Sequence, residues 1–275
     1  MMYTRSFFTL LFIITALGKV IGQSYLNEKD ELIEPRVYLS AGFYFPDVNT
    51  SLRLDSRIGI GTEIDLEDDL NFSENLAVFR AGGIIELGGR SQLAVSYTNL
   101  NRNRSIELDR DIEFGDTIFY ANAFADLRFD VNYLAATYRY SFFDHPNWNA
   151  GLSFGLRGVQ FKSAVEAGLG NNEYSESFSA WAPAALFGVH GSGYLTPRLL
   201  ARYSLQVLYF NISDINFNII ENEASVQYFI FENVGLGMAY STNAYRIRQI
   251  PIGDNYTGKI IFAFGGFNLF LSARF

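Results

Sequence analysis

Apolar and polar residues alternate with a period of two along most of this chain. Val37, Leu39, Ala41, Phe43 and Phe45 are separated by Tyr38, Ser40, Gly42 and Tyr44. Read backwards from the C-terminus, Phe275, Ala273, Leu271, Leu269 and Phe267 alternate with Arg274, Ser272, Phe270 and Asn268. The pattern recurs over 123–133, 199–209 and 234–241. A period of two means strands with two unlike faces. Tight-turn residues punctuate it at Gly88-Gly89-Arg90, Asp144-His145-Pro146-Asn147, Thr196-Pro197 and Glu232-Asn233. The other breaks are long and polar, over 46–73, 101–116, 166–176 and 248–256, with a shorter one near Asn211 to Asn216. Short and long connections alternate, as they do in a transmembrane β-barrel with periplasmic turns and external loops. The spacing predicts an all-β, closed antiparallel up-and-down barrel of about ten strands, with eight or twelve as alternatives. They fall over 36–46, 74–87, 91–101, 117–142, 147–164, 177–194, 198–211, 217–231, 234–248 and 258–275.

Composition narrows the classes. The 275 residues are 49% hydrophobic, 16% aromatic and 18% charged, with 24 Gly, no Cys and a net charge of -8. So much apolar and aromatic content excludes a disordered chain. The missing cysteines exclude a disulfide scaffold and a thiolate metal site. An acidic balance argues against broad nucleic-acid binding. No run of about 20 apolar residues exists to cross a bilayer as a helix.

Arg5 followed by the apolar run Phe7 to Leu17, then Val20-Ile21-Gly22 before Gln23, has the layout of an export signal. The expected organisation is a signal peptide over 1–22 and a barrel over 23–275. Pro35 and Pro46 are expected to bracket the first strand, and Pro146 and Pro197 to lie in turns, where no ladder hydrogen bond is lost. Pro183 falls inside a strand, which suggests a bulge near the outer rim, with Trp181 in the outer aromatic girdle.

The final segment, Gly265-Gly266-Phe267-Asn268-Leu269-Phe270-Leu271-Ser272-Ala273-Arg274-Phe275, resembles the terminal strand of bacterial outer-membrane proteins. Leu269, Leu271 and Phe275 match that family's pattern; Ala273 stands where a larger residue is usual. The organisation is similar to small monomeric barrels of the OmpA-like and OmpW-like kind. The resemblance implies a porin-like location in the bacterial outer membrane and recognition by the barrel-assembly machinery. It also implies contact with outer-membrane lipid and lipopolysaccharide and a monomeric state. The stretch Gly61 to Leu70 looks like a recurring first-loop motif of such barrels, with no activity attached to it.

If the apolar face meets lipid, Arg80, Glu86, Asp126, Arg128, Asp130, Arg157, Arg202 and Gln206 face the lumen. Side chains nearly fill a barrel of this size, and buried charges need partners. A charge-paired plug, giving the barrel a structural or surface-interaction role, is the favoured reading. A narrow channel or lateral-gate path for small solutes, through a gap near Pro183, is the alternative. A lipid-modifying enzyme is the third and least favoured class, and enzyme chemistry is not expected. His190-Gly191-Ser192 resembles the His-x-Ser pair of outer-membrane lipid A deacylases, but its register points it at the lumen and no Glu precedes Glu221 downstream. His145 reads as a turn residue. The first loop carries Asp55, Glu63, Asp65, Glu67, Asp68 and Asp69 in a spacing that fits no calcium loop. A solvated acidic loop is expected there, and neither a cofactor nor a metal.

Overall fold

The computed structural model describes residues 36–55, 61–70, 72, 76–114, 117–169, 172–212, 215–252 and 256–275. The expected signal peptide over 1–22 lies outside them. The described strands are β1 (Val37–Asp55), β2 (Ile64–Asp65), β3 (Val78–Gly88), β4 (Ser91–Glu107), β5 (Ile112–Phe114), β6 (Thr117–Phe119) and β7 (Phe124–His145). They continue with β8 (Trp148–Leu169), β9 (Asn172–Thr196), β10 (Leu199–Ile212), β11 (Ile215–Phe229), β12 (Val234–Ile252) and β13 (Tyr256–Arg274).

Ten of these, β1, β3, β4 and β7 to β13, pair antiparallel in chain order, and β13 returns to β1. The chain is therefore an all-β closed barrel of ten strands. Closure through β13 and β1 leaves no free terminal strand in the ring. β2 adds to the upper part of β1, and β5 and β6 form a separate hairpin in the second long connection. That hairpin replaces the early start expected for the fourth barrel strand, which begins at Phe124.

Two expectations about proline need correction. β1 does not end at Pro46 but runs on to Asp55, with Pro46 opposite Gly266 of β13. The Pro46 carbonyl accepts from Leu76 N at 3.2 Å, so this edge of the residue faces the β3 side. The β1–β3 ladder has already ended there, at Tyr44↔Val78. A strand residue directs its N–H and C=O to the same side, so the missing N–H breaks no ladder bond. Gly266 is required opposite, because a Cβ there would lie 2.0 Å from the Phe45 carbonyl oxygen. Pro183 makes no bulge: the β8–β9 register is unbroken from Trp148↔Gly193 to Leu169↔Asn172. It is tolerated where β9 has lost its other neighbour, since pairing with β10 stops at Val207↔Phe187.

The barrel has two zones. Near the short turns the outward side chains are apolar and uncovered: Leu39, Phe43 and Phe45 on β1, Leu134 and Phe142 on β7, Leu236 and Met238 on β12, Leu269 and Leu271 on β13. On β7 this belt runs from Leu134 to Phe143, matching the span of about 9–11 residues a strand needs to cross a bilayer. Trp181 and Tyr209 are exposed at its upper margin.

Beyond the belt the same strands continue and their polarity reverses. Val48, Leu52, Leu127, Phe129, Val131, Phe161, Ile247, Ile260 and Phe262 face inward and are buried. Phe129, Phe161 and Phe262 pack with centroids 5.8–6.3 Å apart. The β7–β8 register does not slip between Phe124 and Ser141, across the point of reversal. What changes is the medium outside, from hydrocarbon to water, so the apolar face moves to the interior.

Candidate functional site

The lumen holds the chemistry, in layers that rise from the turn end. In the lowest layer, Arg274 lies over the Phe229 ring at 3.8 Å and donates to Tyr194 Oη at 2.9 Å. Above it, Arg202 sits 4.1 Å over Tyr38 and donates to Gln227 Oε1 at 3.2 Å. Gln227 also accepts from the Tyr38 hydroxyl and donates to Ser272 Oγ at 2.6 Å.

The middle layer is ionic. Arg80 meets Glu223 at 2.7 Å. Arg157 donates to Glu221 through Nε and Nη2, to Thr137 Oγ1 at 3.0 Å, and to Gln206. Tyr133 and Tyr245 donate their hydroxyls to Glu221 Oε1 at 2.8 and 2.5 Å. A carboxylate with a bidentate guanidinium and two phenols has its lone pairs satisfied, which a buried charge requires. A cavity of about 170 Å³ remains beside this cluster, bounded by Tyr44, Arg80, Arg139 and Arg157.

The top layer is the first long connection, folded into the barrel mouth. Asp65 Oδ1 accepts from the backbone N–H of Glu67 and Asp68 at 3.1 Å, and Asp69 Oδ2 accepts from Asp65 N at 2.9 Å. The turn so formed drives Leu66, Leu70 and Phe72 into the apolar interior. Glu67 goes with them. It accepts from Thr50 N at 2.6 Å and pairs with fully buried Arg102, which also donates to Thr50 Oγ1 at 2.9 Å and lies 5.0 Å from the Phe72 ring.

The expectation of a solvated acidic loop is thus corrected. Asp55 binds Arg53, Glu63 binds Lys259 and Asp69 binds Arg110, at 2.8, 2.6 and 2.7 Å. The acids fold the loop. Burial raises the Glu67 carboxyl above the usual range against the opposing pull of Arg102. The hydrogen bond from Lys259 lowers Glu63.

The sequence-selected residues divide. Arg80, Glu86, Arg157, Arg202 and Gln206 are on the inward face, Glu86 near the turn end with its carboxylate 2.6 Å from Gln92 Nε2. Asp126, Arg128 and Asp130 are not in the lumen. They lie on the outer wall of the upper zone, where Asp126 accepts from Ser105 Oγ at 2.5 Å and Arg128 donates to Asn103 at 3.3 Å. Their strand partners Leu127, Phe129 and Val131 occupy the interior instead, because at this height water and not lipid bathes the outside.

Sequence reasoning missed Glu221, Glu223, Tyr133 and Tyr245. The signal for the two acids is present: both sit on the inward parity of a strand whose other face carries Ile220 and Val226. Leu269, Leu271 and Phe275 lie exposed on the outer face of the belt, at its turn end.

His190 and Ser192 do face inward, and each has a partner other than the other. His190 Nε2 contacts Ser141 Oγ at 3.2 Å, Ser192 donates to Asn149 at 3.1 Å, and Glu221 is committed to Arg157. His145 contacts the backbone N–H of Asn147 within its turn.

No protein-family model matches the chain, and no curated protein matches it in sequence. Solved structures do. The outer membrane protease OmpT from Escherichia coli aligns over 93% of this chain and 100% of its own, with a TM-score of 0.55 and 9% identity. OprG from Pseudomonas aeruginosa aligns over 87% and 96%, with a TM-score of 0.35 and 11% identity. Ail, the attachment invasion locus protein of Yersinia pestis, aligns over 86% and 99%, with a TM-score of 0.32 and 10% identity. The match to OmpT concerns the fold alone. Together with an uncovered apolar belt of bilayer height, it makes this chain a transmembrane β-barrel.

Proposed function

We propose that this protein is a monomeric, non-enzymatic barrel whose lumen is blocked and whose role is structural or lies in surface interaction. One observation carries the reading: three successive side-chain layers stand across the lumen, at Arg202–Tyr38–Gln227, at Arg157–Glu221 and at the Glu67–Arg102 lid. A water-filled path would have to break both ion pairs and open the apolar core between them. The exterior of the upper zone, with Asp126, Arg128 and Asp130, is then the surface available to partners. Outer-membrane lipid and lipopolysaccharide are the partners that fit the belt and the wall above it. Insertion by the barrel-assembly machinery would read Leu269, Leu271 and Phe275 on the closing strand.

Planar-bilayer recording of the refolded protein tests the blocked lumen. Absence of unitary steps is the expected result, and steady conductance would overturn the reading. A second reading has its own support. Among the described residues, 172–186 of β9 have no partner on β10, so the wall is interrupted at the outer margin of the belt beside Pro183. Passage of small apolar solutes through that interruption would leave conductance silent. Uptake of such a solute, abolished by cross-linking β9 above Phe187 to β10 above Val207, would favour it.

A further inference from the structure

The turn end of the lumen carries more guanidiniums than carboxylates. Of the arginines bordering the middle of the lumen, Arg80 and Arg157 each have a carboxylate partner, Glu223 and Glu221. Arg139 and Arg202 do not. Among the described residues neither forms an ion pair: Arg202 has an amide oxygen and the face of Tyr38, and the buried Nε of Arg139 has no hydrogen-bond partner.

Both arginines border a second and larger cavity of about 650 Å³ at the turn end. Arg36 and Arg90 also line it, against two carboxylates, Glu86 and Asp144. Neutral donors complete the wall: Ser141, Asn149, Ser192 and Tyr194. Turn residues Gly88, Gly89, Pro146 and Asn147 ring it, so it meets the aqueous space at that end rather than the lipid. Two guanidiniums held in a narrow lumen without a directly paired carboxylate, in a wall that carries four arginines against two acids, are unfavourable. Planar guanidinium forks suit carboxylate and phosphate oxygens above other ligands.

We propose that this vestibule is a binding site for a small water-soluble polyanion, a carboxylate or phosphate compound, held between Arg139 and Arg202. Arg36 and Arg90 at the mouth draw the anion in, and Ser141, Ser192 and Asn149 supply further hydrogen bonds. Glu86 and Asp144 set the limit on specificity, since a ligand with a cationic group as well can satisfy both signs. The ion pairs above the vestibule make it a closed-ended pocket, so the anion is bound and released at one end.

The test uses the refolded full chain in zwitterionic detergent at constant ionic strength, with citrate and inorganic phosphate as probes. Calorimetric titration should give saturable one-to-one binding of at least one probe, weakened at least tenfold in Arg139→Gln and in Arg202→Gln. Thermal unfolding supplies the second readout. In anion-free buffer Arg139→Gln should melt no lower than the parent, because it removes an unpaired buried charge, and its melting point should no longer rise with probe. No saturable binding of either probe, or equal binding by both variants, would overturn the proposal. So would a response confined to dihexanoyl phosphatidylglycerol, which would assign the site to a lipid headgroup. If Arg202→Gln fails to fold, Arg90→Gln at the mouth should weaken binding with the stability of the parent. Unchanged affinity in that variant and in Arg139→Gln would count against the site.

Discussion

Arg157 on β8 and Glu221 on β11 face each other across the barrel, with Arg157 Nε 2.9 Å and Nη2 2.7 Å from Glu221 Oε2. Strands that are not neighbours in the sheet are thereby tied through its centre. Arg157→Ala should destabilise the barrel by about 3–5 kcal/mol, because it leaves a buried carboxylate unpaired. Replacing both residues with Met should recover much of the loss. Urea unfolding followed by tryptophan fluorescence reads both; a neutral Arg157→Ala would show that the pair does not brace the lumen.

The reversal of polarity along β7 gives a pair of contrasting substitutions. Phe129, 1% exposed in the upper core, should cost about 3–5 kcal/mol when changed to Ala. Arg128, one residue away on the wet outer wall, should tolerate Ala within about 0.5 kcal/mol. In the belt below, Leu134→Arg meets lipid and should cost about 2–4 kcal/mol if it lies near the bilayer midplane, and less towards the interface. Stability curves in lipid vesicles separate the three. A costly Arg128→Ala beside a harmless Phe129→Ala would reverse the assignment of faces.

These same residues show how far the sequence can be read. The number of barrel strands, their order and the placing of the turns follow from the alternation and from Gly, Pro and Asn at its breaks. The facing of β7 does not. Alternation states that two faces differ but not which medium lies outside, and over 123–133 the apolar side reads as lipid-facing when it is core. The lid is hidden for a related reason. A run of acids looks solvated, and only the fold reveals that Asp65 and Asp69 close a turn on themselves while Glu67 meets Arg102 from a distant strand. Arg157 is legible as an inward charge, but its partner Glu221 is 64 residues away and cannot be paired from spacing.

Two acids of the lid should respond oppositely to pH. Burial places the folded Glu67 carboxyl above its unfolded value. Its contribution is fully present below the unfolded value and is lost as pH rises through the folded one. On acidification from neutral the parent should therefore gain stability relative to Glu67→Gln. Glu63, lowered by Lys259, contributes above its unfolded value, and that contribution is lost as pH falls through the folded value. Relative to Glu63→Gln the parent should lose stability on the same acidification. Parallel melting curves between neutral and mildly acid pH check both signs.

The lid also has a mechanical test. Leu66→Asp together with Leu70→Asp puts two charges where the upper core is apolar. The loop should leave the mouth and become open to external protease, while the belt stays folded and the protein keeps its heat-modifiable migration on gels. Unchanged protease resistance would mean that the turn does not depend on these leucines.

Deleting Phe275 should lower the yield of folded, membrane-inserted protein. Its ring is exposed at the foot of the belt, and its backbone exchanges hydrogen bonds with Val37 at 2.9 and 3.1 Å. Insertion measured at low expression decides this, and an unaltered yield would remove Phe275 from the assembly signal.

The closing seam joins the first barrel strand to the last, from Tyr38↔Arg274 to Asp55↔Thr257. During synthesis β1 is the earliest barrel strand to exist and the one that waits longest for its second neighbour. Until β13 arrives it presents an unsatisfied edge and a row of bare phenylalanines to whatever surrounds it. Pro46 does not blunt that edge, because its missing N–H lies on the β3 side. Without β13 the seam with β1 is missing, so closure of this ring waits for the most distant pairing in the sequence.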